Sequence, residues 1–288
     1  MTKVEDEGIA PGQWEGLNRV FYDRKNGPHT YIVARLSALD QMDDDAKVVE
    51  SVNLLHHAAE ALVRQYLAHR GAPECPWLEI ARQRSFAEFK AAVAGLRDGP
   101  GAGQCEDLVK VFCGEGDGRT PAALANIALA GDGLEALLAY AAEMLLDEAG
   151  MYNAIKHGIA AIPGTRQLPP EVLAAGRGAV MRGDGVSLLT LEPVGEARER
   201  RWTRVIRYVD VAENTALTRL LAEQLENLWS VARARYLATP LGRLHPVTDE
   251  MAHRARYAAG LGAPVTVQEI AFSLDYLAGR GEQPPTLP

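Results

Sequence analysis

The chain has 288 residues, with 30 basic and 38 acidic side chains, a formal net charge of −8 at pH 7 and 47% hydrophobic residues. That length lies between one large domain and two ordinary ones, and the composition is near the globular average, which excludes disordered and collagen-like classes. The acidic balance argues against a protein whose whole surface coats nucleic acid or an anionic membrane, while leaving room for a local basic patch.

No apolar run reaches the roughly 18 residues of a membrane span. The segment Met1-Thr2-Lys3-Val4-Glu5-Asp6-Glu7 is acidic and lacks the basic-then-apolar pattern of an export signal. Cys75, Cys105 and Cys113 make an odd count without a Cys-x-x-Cys pair. Together these lead to the expectation of a cytoplasmic protein with free thiols and no membrane partner.

Alanine and leucine, both strong helix formers, dominate the chain. The first predicted helix runs from Ala46 to Ala68. Val52, Leu55, Ala59, Leu62, Val63 and Tyr66 form its apolar stripe, Asp43, Asp44 and Asp45 its acidic start, and Gly71 and Pro73 its end. Further helices are predicted over Trp77–Leu96, Glu106–Cys113, Pro121–Ala130, Leu134–Glu148 and Tyr152–Ile162. Residues 163–185 carry prolines and glycines and read as a connector. Val186–Val194 and Trp202–Val211 are β-rich and flank a polar turn, which predicts an antiparallel hairpin. A lone hairpin is barely stable, so it must pack on something or gain a partner strand. A long helix is predicted over Asn214–Ala238, with Pro240 as its stop, and a last one over Gln268–Ala278.

The expected fold class is therefore mainly α: a helical bundle with one antiparallel β-hairpin insertion and a long C-terminal helix. Residues 1–162 would form the bundle. Residues 163–288 would supply the connector, the hairpin at about 186–211 and C-terminal helices packed on the first part.

Nucleotide-cradling glycine motifs, a Gly-x-Ser-x-Gly elbow and zinc spacing of the cysteines are all absent from the sequence. The informative stretch is Met151-Tyr152-Asn153-Ala154-Ile155-Lys156-His157-Gly158. On a helix Asn153 and His157 lie one turn apart with Lys156 beside them. An amide, an ammonium and an imidazole that titrates near neutrality could grip a phosphodiester. They form a minimal kit for attack by an RNA 2′-hydroxyl on its own phosphate, with a proton acceptor and cationic stabilisation of the crowded phosphorane.

An Asn-x-x-x-His helix late in a helical bundle resembles the HEPN superfamily. The resemblance covers at most residues 40–162 and implies a four- or five-helix bundle, usually a homodimer, with the motifs of two copies meeting at the interface. It further implies metal-independent endoribonuclease activity of the bacterial toxin–antitoxin or phage-defence kind. Asn153 matches the polar position and His157 the catalytic histidine. Tyr152 stands where the family has arginine, and a neutral phenol lacks the bidentate fork of a guanidinium. Lys156 restores the charge but not the geometry, so a degenerate, non-cleaving member stays open beside an active one.

A second copy of the spacing is Arg64-Gln65-Tyr66-Leu67-Ala68-His69, at the end of the first long helix; Arg64 and His69 are candidate contributors to substrate binding, as is Tyr152. On that helix Asn53, His57, Glu60 and Arg64 form a polar line, read as a solvated face with a Glu60–Arg64 ion pair. A di-iron bundle would need paired Glu-x-x-His motifs, and no such pair occurs, so neither metal nor cofactor is expected.

The hairpin carries Arg198, Arg200, Arg201, Arg204 and Arg207 around Trp202, a set able to hold phosphates and stack on a base, or simply to keep a hairpin tip in water. Arg200, Arg201 and Arg204 are its candidate RNA contacts. Two functional readings follow: a HEPN-like RNA-binding protein, cleaving or not, and a non-enzymatic helical interaction or assembly protein. A small-molecule pocket between helices is a third arrangement that bundles often host and sequence displays poorly.

Overall fold

The computed structural model describes residues 11–82, 85–98, 104–114, 121–147, 149–156, 161–167, 182–193, 200–256 and 266–273. The described residues form ten helices and one four-stranded sheet, so the chain is mainly α as expected. The helices are α1 (Pro11–Tyr22), α2 (Pro28–Leu39), α3 (Asp44–Gly71), α4 (Pro76–Ala81), α5 (Phe86–Arg97), α6 (Gln104–Cys113), α7 (Pro121–Asp147), α8 (Ala149–Lys156), α9 (Val211–Leu237) and α10 (Asp249–Arg256). The strands are β1 (Ala161–Gln167), β2 (Arg182–Pro193), β3 (Arg200–Tyr208) and β4 (Thr266–Ser273). No described helix is long and apolar enough to cross a membrane.

The chain divides into two compact units, each assembled from separate stretches of sequence. The first takes residues 1–41, 54–149 and 212–258; the second takes 42–53, 150–211 and 259–288.

The first unit is the helical bundle. Leu55, Leu62 and Tyr66 of α3, Phe89 and Val93 of α5, Phe112 of α6, Leu137 of α7 and Leu217, Leu221 and Leu225 of α9 close one apolar core. Each such side chain contributes roughly 1.5–3 kcal/mol by leaving water. Beside this core lies an aromatic cluster of Phe21, Tyr22 and Trp229. Asp43 sits at the start of α3 and its Oδ1 accepts from the Ala46 amide at 2.9 Å, the cap its position predicts.

Where the bundle departs from the predicted elements, local chemistry gives the reason. The helix expected over Trp77–Leu96 is two helices. Ser85 restarts the chain through a capping box with Glu88, so α5 has its own N-terminus. The two helices expected at 121–130 and 134–148 are one, α7. Gly133 lies inside α7, at a point where only a bare Cα fits. A Cβ on it would run into the backbone of Val247 and Thr248, 2.6 Å from the Thr248 carbonyl carbon. Helices α1, α2 and α10, of 12, 12 and 8 residues, lie outside the predicted elements.

The second unit contains the sheet, in the order β1-β2-β3-β4 and antiparallel throughout. The predicted hairpin is β2 and β3, with Leu188 opposite Val205 and Val186 opposite Arg207. Its need for support is met twice over. Neighbouring strands lie on both sides, and its buried Val186, Leu188 and Val205 pack with Met151 and Ile155 of α8 and Val48 and Val52 of α3.

Both added strands replace other expectations. The helix drawn to Ile162 ends at Lys156, and Ala161 opens β1, which also occupies the first part of the expected connector. Pro163 is tolerated because β1 is an edge strand, where a missing N–H costs little. The last predicted helix, Gln268–Ala278, overlaps β4, whose backbone pairs with β3 from Arg207↔Thr266 to Arg201↔Ser273. Ladder pairing with a distant strand overrode a weak local preference.

Candidate functional site

Helix α8 carries Tyr152, Asn153 and Lys156 of the expected motif. Met151 and Ile155, four residues apart, are buried in the apolar core of the second unit, which fixes the rotation of the helix. Asn153 and Lys156 are consequently exposed, and Tyr152 is half-buried. The Lys156 ammonium lies 5.6 Å from the centroid of the Tyr152 ring, a cation–π pair across one helical turn. Tyr152 therefore steadies the lysine on its own helix in place of the arginine fork the HEPN pattern would put there. His157 lies outside the described residues. What the geometry supplies is an amide and an ammonium on the open side of one short helix, separated by a single turn.

The basic hairpin residues belong to the same unit as α8. Arg200, Arg201 and Arg204 stand opposite Pro193, Glu192 and Leu189 of β2. Arg201 and Arg204 also pair with Ser273 and Ile270 of β4. Their register is fixed by the ladder; Arg198 lies outside the described residues.

The other candidates sit in the first unit. Arg64 is part-buried, its Nε donates to Glu60 Oε1 at 2.8 Å, and its guanidinium lies 4.0 Å from the Phe89 ring centroid. The predicted Glu60–Arg64 ion pair is present, with an aromatic face added to it. His57 is exposed and meets Tyr31 edge-on at 5.9 Å, as a solvated polar line would place it.

His69 is buried, at 8% exposure, among the aromatic rings. Its Nε2 lies 2.7 Å from the hydroxyl of fully buried Tyr22. Burial, reinforced by the charge of Arg235, pushes its pKa from the ordinary 6.5 down to about 3, so the ring is neutral at physiological pH. Burial likewise raises the Tyr22 phenol, and it pushes Tyr236 to about 12, so both rings stay protonated. Tyr22 has His69 as its described hydrogen-bond partner, and a buried O–H left without an acceptor is costly. Tyr22 therefore donates, and the imidazole proton resides on Nδ1.

One edge of His69 reaches the wall of a cleft of about 470 Å³ in the first unit, between the C-terminal end of α3, α6 and the last turns of α9. Arg70, Lys110 and Arg235 supply three cationic groups to its lining and Asp107 one carboxylate. Sequence reasoning reached His69 through its spacing from Arg64 but not Lys110, Asp107 or Arg235. Those three belong to helices far apart in the chain, and each reads locally as an ordinary solvated charge. Among the described residues no group of three or more His, Cys, Asp or Glu could hold a metal ion.

Compared with protein-family models, with curated proteins and with solved structures, the chain matches none of them.

Proposed function

We propose that this chain is an RNA-binding protein of HEPN-like type, acting in the cytoplasm as a homodimer, in which the solvent face of α8 receives the phosphodiester backbone. The observation that carries the reading is the rotation of α8: Met151 and Ile155 face inward, so Asn153 and Lys156 face solvent side by side. Lys156 supplies the point charge for a phosphate oxygen, and Asn153 supplies amide N–H groups for a second. Strand β3 of the same unit carries Arg200, Arg201, Arg204 and Arg207 in its sequence.

In the cleaving form of this reading, His157 takes the proton of a ribose 2′-hydroxyl, whose oxygen attacks the adjacent phosphorus. The bond to the 5′-oxygen breaks, that oxygen is protonated as it leaves, and a 2′,3′-cyclic phosphate and a 5′-hydroxyl end remain. Lys156 offsets the charge that gathers on the phosphorane oxygens. This is the metal-independent chemistry of toxin and phage-defence ribonucleases.

The test is purified protein with total RNA in EDTA, beside His157→Ala and Lys156→Glu. Cutting by the wild type that disappears in His157→Ala supports cleavage at this site. A gel shift weakened by Lys156→Glu without cutting supports binding by a degenerate member. RNA that neither shifts nor breaks with the wild type removes the reading.

One observation favours the second reading, a non-enzymatic assembly protein. Ile162 of β1 and Leu189 of β2 are 64% and 52% exposed. Ile162 pairs with Ser187, two residues before Leu189, so the two apolar side chains share one face of the sheet. Sedimentation separates the readings: a stable oligomer without RNA affinity favours assembly.

A further inference from the structure

The first turn of α2 has features that nothing in the RNA reading uses. Pro28 and His29 open the helix after Gly27, whose backbone is extended (φ −83°, ψ 176°) and which supplies no side-chain cap. No acidic residue stands in that turn. At Gly27 an added Cβ would lie 2.8 Å from His29 Nδ1 and 2.8 Å from Trp229 Cδ2, so both rings lie against its bare Cα. Trp229 of α9 is 4% exposed and His29 is half-buried, so this contact docks the start of α2 onto α9.

His29 is poorly placed to carry a charge. Its Nδ1 is closed from water and has no hydrogen-bond partner among the described residues. A cation in the first turn also meets the positive end of the helix dipole. Burial lowers the pKa of the ring from the ordinary 6.5, opposed by the carboxylate of Glu226 on α9. The next charged residue of α9, Arg233, is engaged by the carbonyls of Tyr22 and Arg24 at 2.6 and 2.7 Å. In the loop before α2, Asp23, Arg24 and Lys25 are exposed. From the segment after α9, His245 Nε2 lies 3.5 Å from Glu226 Oε2, so two histidines share one carboxylate.

We propose that His29 is an acid-responsive latch: neutral, it holds the first turn of α2 against Trp229 of α9, and protonated, it releases that turn. In the released form the ring regains water at both nitrogens and its ordinary basicity, so this form binds a proton more readily than the docked one. Docking is therefore complete above pH 6.5 and weakens as the pH falls below it, by up to about tenfold per pH unit until the docked ring itself titrates. Ile32 and Leu39 of α2 are buried and keep the rest of the helix in place, which confines the release to the first turn and the loop before it. Glu226 limits the response, because its charge favours the proton on the docked ring.

The experiment is hydrogen exchange by NMR on the full chain between pH 7 and pH 5, with protection corrected for the intrinsic pH dependence of exchange. The reporter is the Thr30 amide, which donates to the Gly27 carbonyl at 3.1 Å. Its protection in the wild type is expected to fall about threefold or more from pH 7 to pH 5. The loss should disappear in His29→Gln, which cannot titrate and leaves His69 in place, and grow in Glu226→Gln. The His29 ring resonances, followed over the same range, should titrate with a midpoint below 6.5, and lower still in Glu226→Gln. Should one variant not fold, the other still decides. Thr30 protection that stays flat in the wild type overturns the proposal, as does a ring midpoint at or above 6.5. So does an equal loss in wild type and His29→Gln, or a loss in Glu226→Gln no larger than that of the wild type.

Discussion

The hydroxyl of Tyr22 and Nε2 of His69 lie 2.7 Å apart, 47 residues apart in sequence and closed from water. This single bond joins the end of α1 to the end of α3 and fixes the tautomer of the histidine. Around it, Tyr236 stacks on Tyr22 at 5.1 Å and Trp229 leans on it at 5.0 Å. Tyr22→Phe keeps the ring and deletes the donor, leaving a buried imidazole nitrogen unpaired. The expected loss is about 1–3 kcal/mol, read as a lower urea midpoint at unchanged slope. A midpoint equal to wild type would mean that the bond contributes nothing net.

The same histidine sets a pH dependence. Its pKa falls from 6.5 when unfolded to about 3 when folded, so between those values the unfolded chain binds one more proton than the folded one. Stability then rises with pH across that window, and it is lost as pH falls below 6.5. Going from pH 7 to pH 5 this one site removes about 2 kcal/mol. His69→Gln retains an acceptor for Tyr22 and cannot titrate. The drop in unfolding free energy between pH 7 and pH 5 should shrink by about that amount in the variant. An unchanged drop would place the ionisation elsewhere.

The helical stripe of α3, its acidic cap and the β2–β3 hairpin were all legible, because each is written in residues adjacent along the chain. What escaped has the opposite character. β4 is strand because β3 presents it with a ladder, although Gln268, Glu269 and Ala271 are helix-compatible. The cleft escaped because Lys110 and Arg235 are brought together by the packing of α6 and α9 against a common core, and no local spacing records that. On α8 the residues Asn153 and Lys156 could be singled out from their spacing alone. The rotation that exposes Asn153 and Lys156 follows from where Met151 and Ile155 find their buried neighbours.

Two glycines of α7, two residues apart, should respond to the same substitution with opposite sign. At Gly131 an added Cβ would meet only Val109 at 3.7 Å, ordinary contact, and alanine is the better helix former. Gly131→Ala is expected to stabilise by about 0.5–1 kcal/mol. At Gly133 the added methyl would collide with the backbone of Val247 and Thr248, which cannot rotate away. Gly133→Ala should cost about 1–3 kcal/mol. Melting both variants beside wild type checks this; two shifts of the same sign would contradict the close approach.

Asn227 holds the segment that follows α9 by both ends of its amide. Its Nδ2 donates to the His245 carbonyl at 2.7 Å and its Oδ1 accepts from the His245 amide at 2.8 Å. Gln224 donates to the same carbonyl at 3.1 Å and accepts from Asn227 at 2.8 Å. Asn227→Leu fills the volume but strands the His245 N–H, at a cost of about 1–3 kcal/mol. Hydrogen exchange should then quicken at His245 before the amides of α3 respond, because the segment is released locally. Uniform quickening across the bundle would show instead that the amide supports the whole core.

Ala238 ends α9 in the left-handed region at φ 53°, two residues before Pro240 and three before the exposed Leu241. An L-residue there is strained by about 1–2 kcal/mol, whereas glycine adopts the conformation freely. Glycine also gains freedom in the unfolded chain, which offsets about 0.4–1 kcal/mol of that relief. Ala238→Gly is therefore expected to stabilise by about 0.5–1 kcal/mol, measured as a higher urea midpoint. Because the turn keeps its path, the dependence on urea should keep the slope of the wild type. A midpoint equal to or below that of wild type would mean that the neighbours of Ala238 already relieve the strain, so that the freedom glycine gains in the unfolded chain decides the sign.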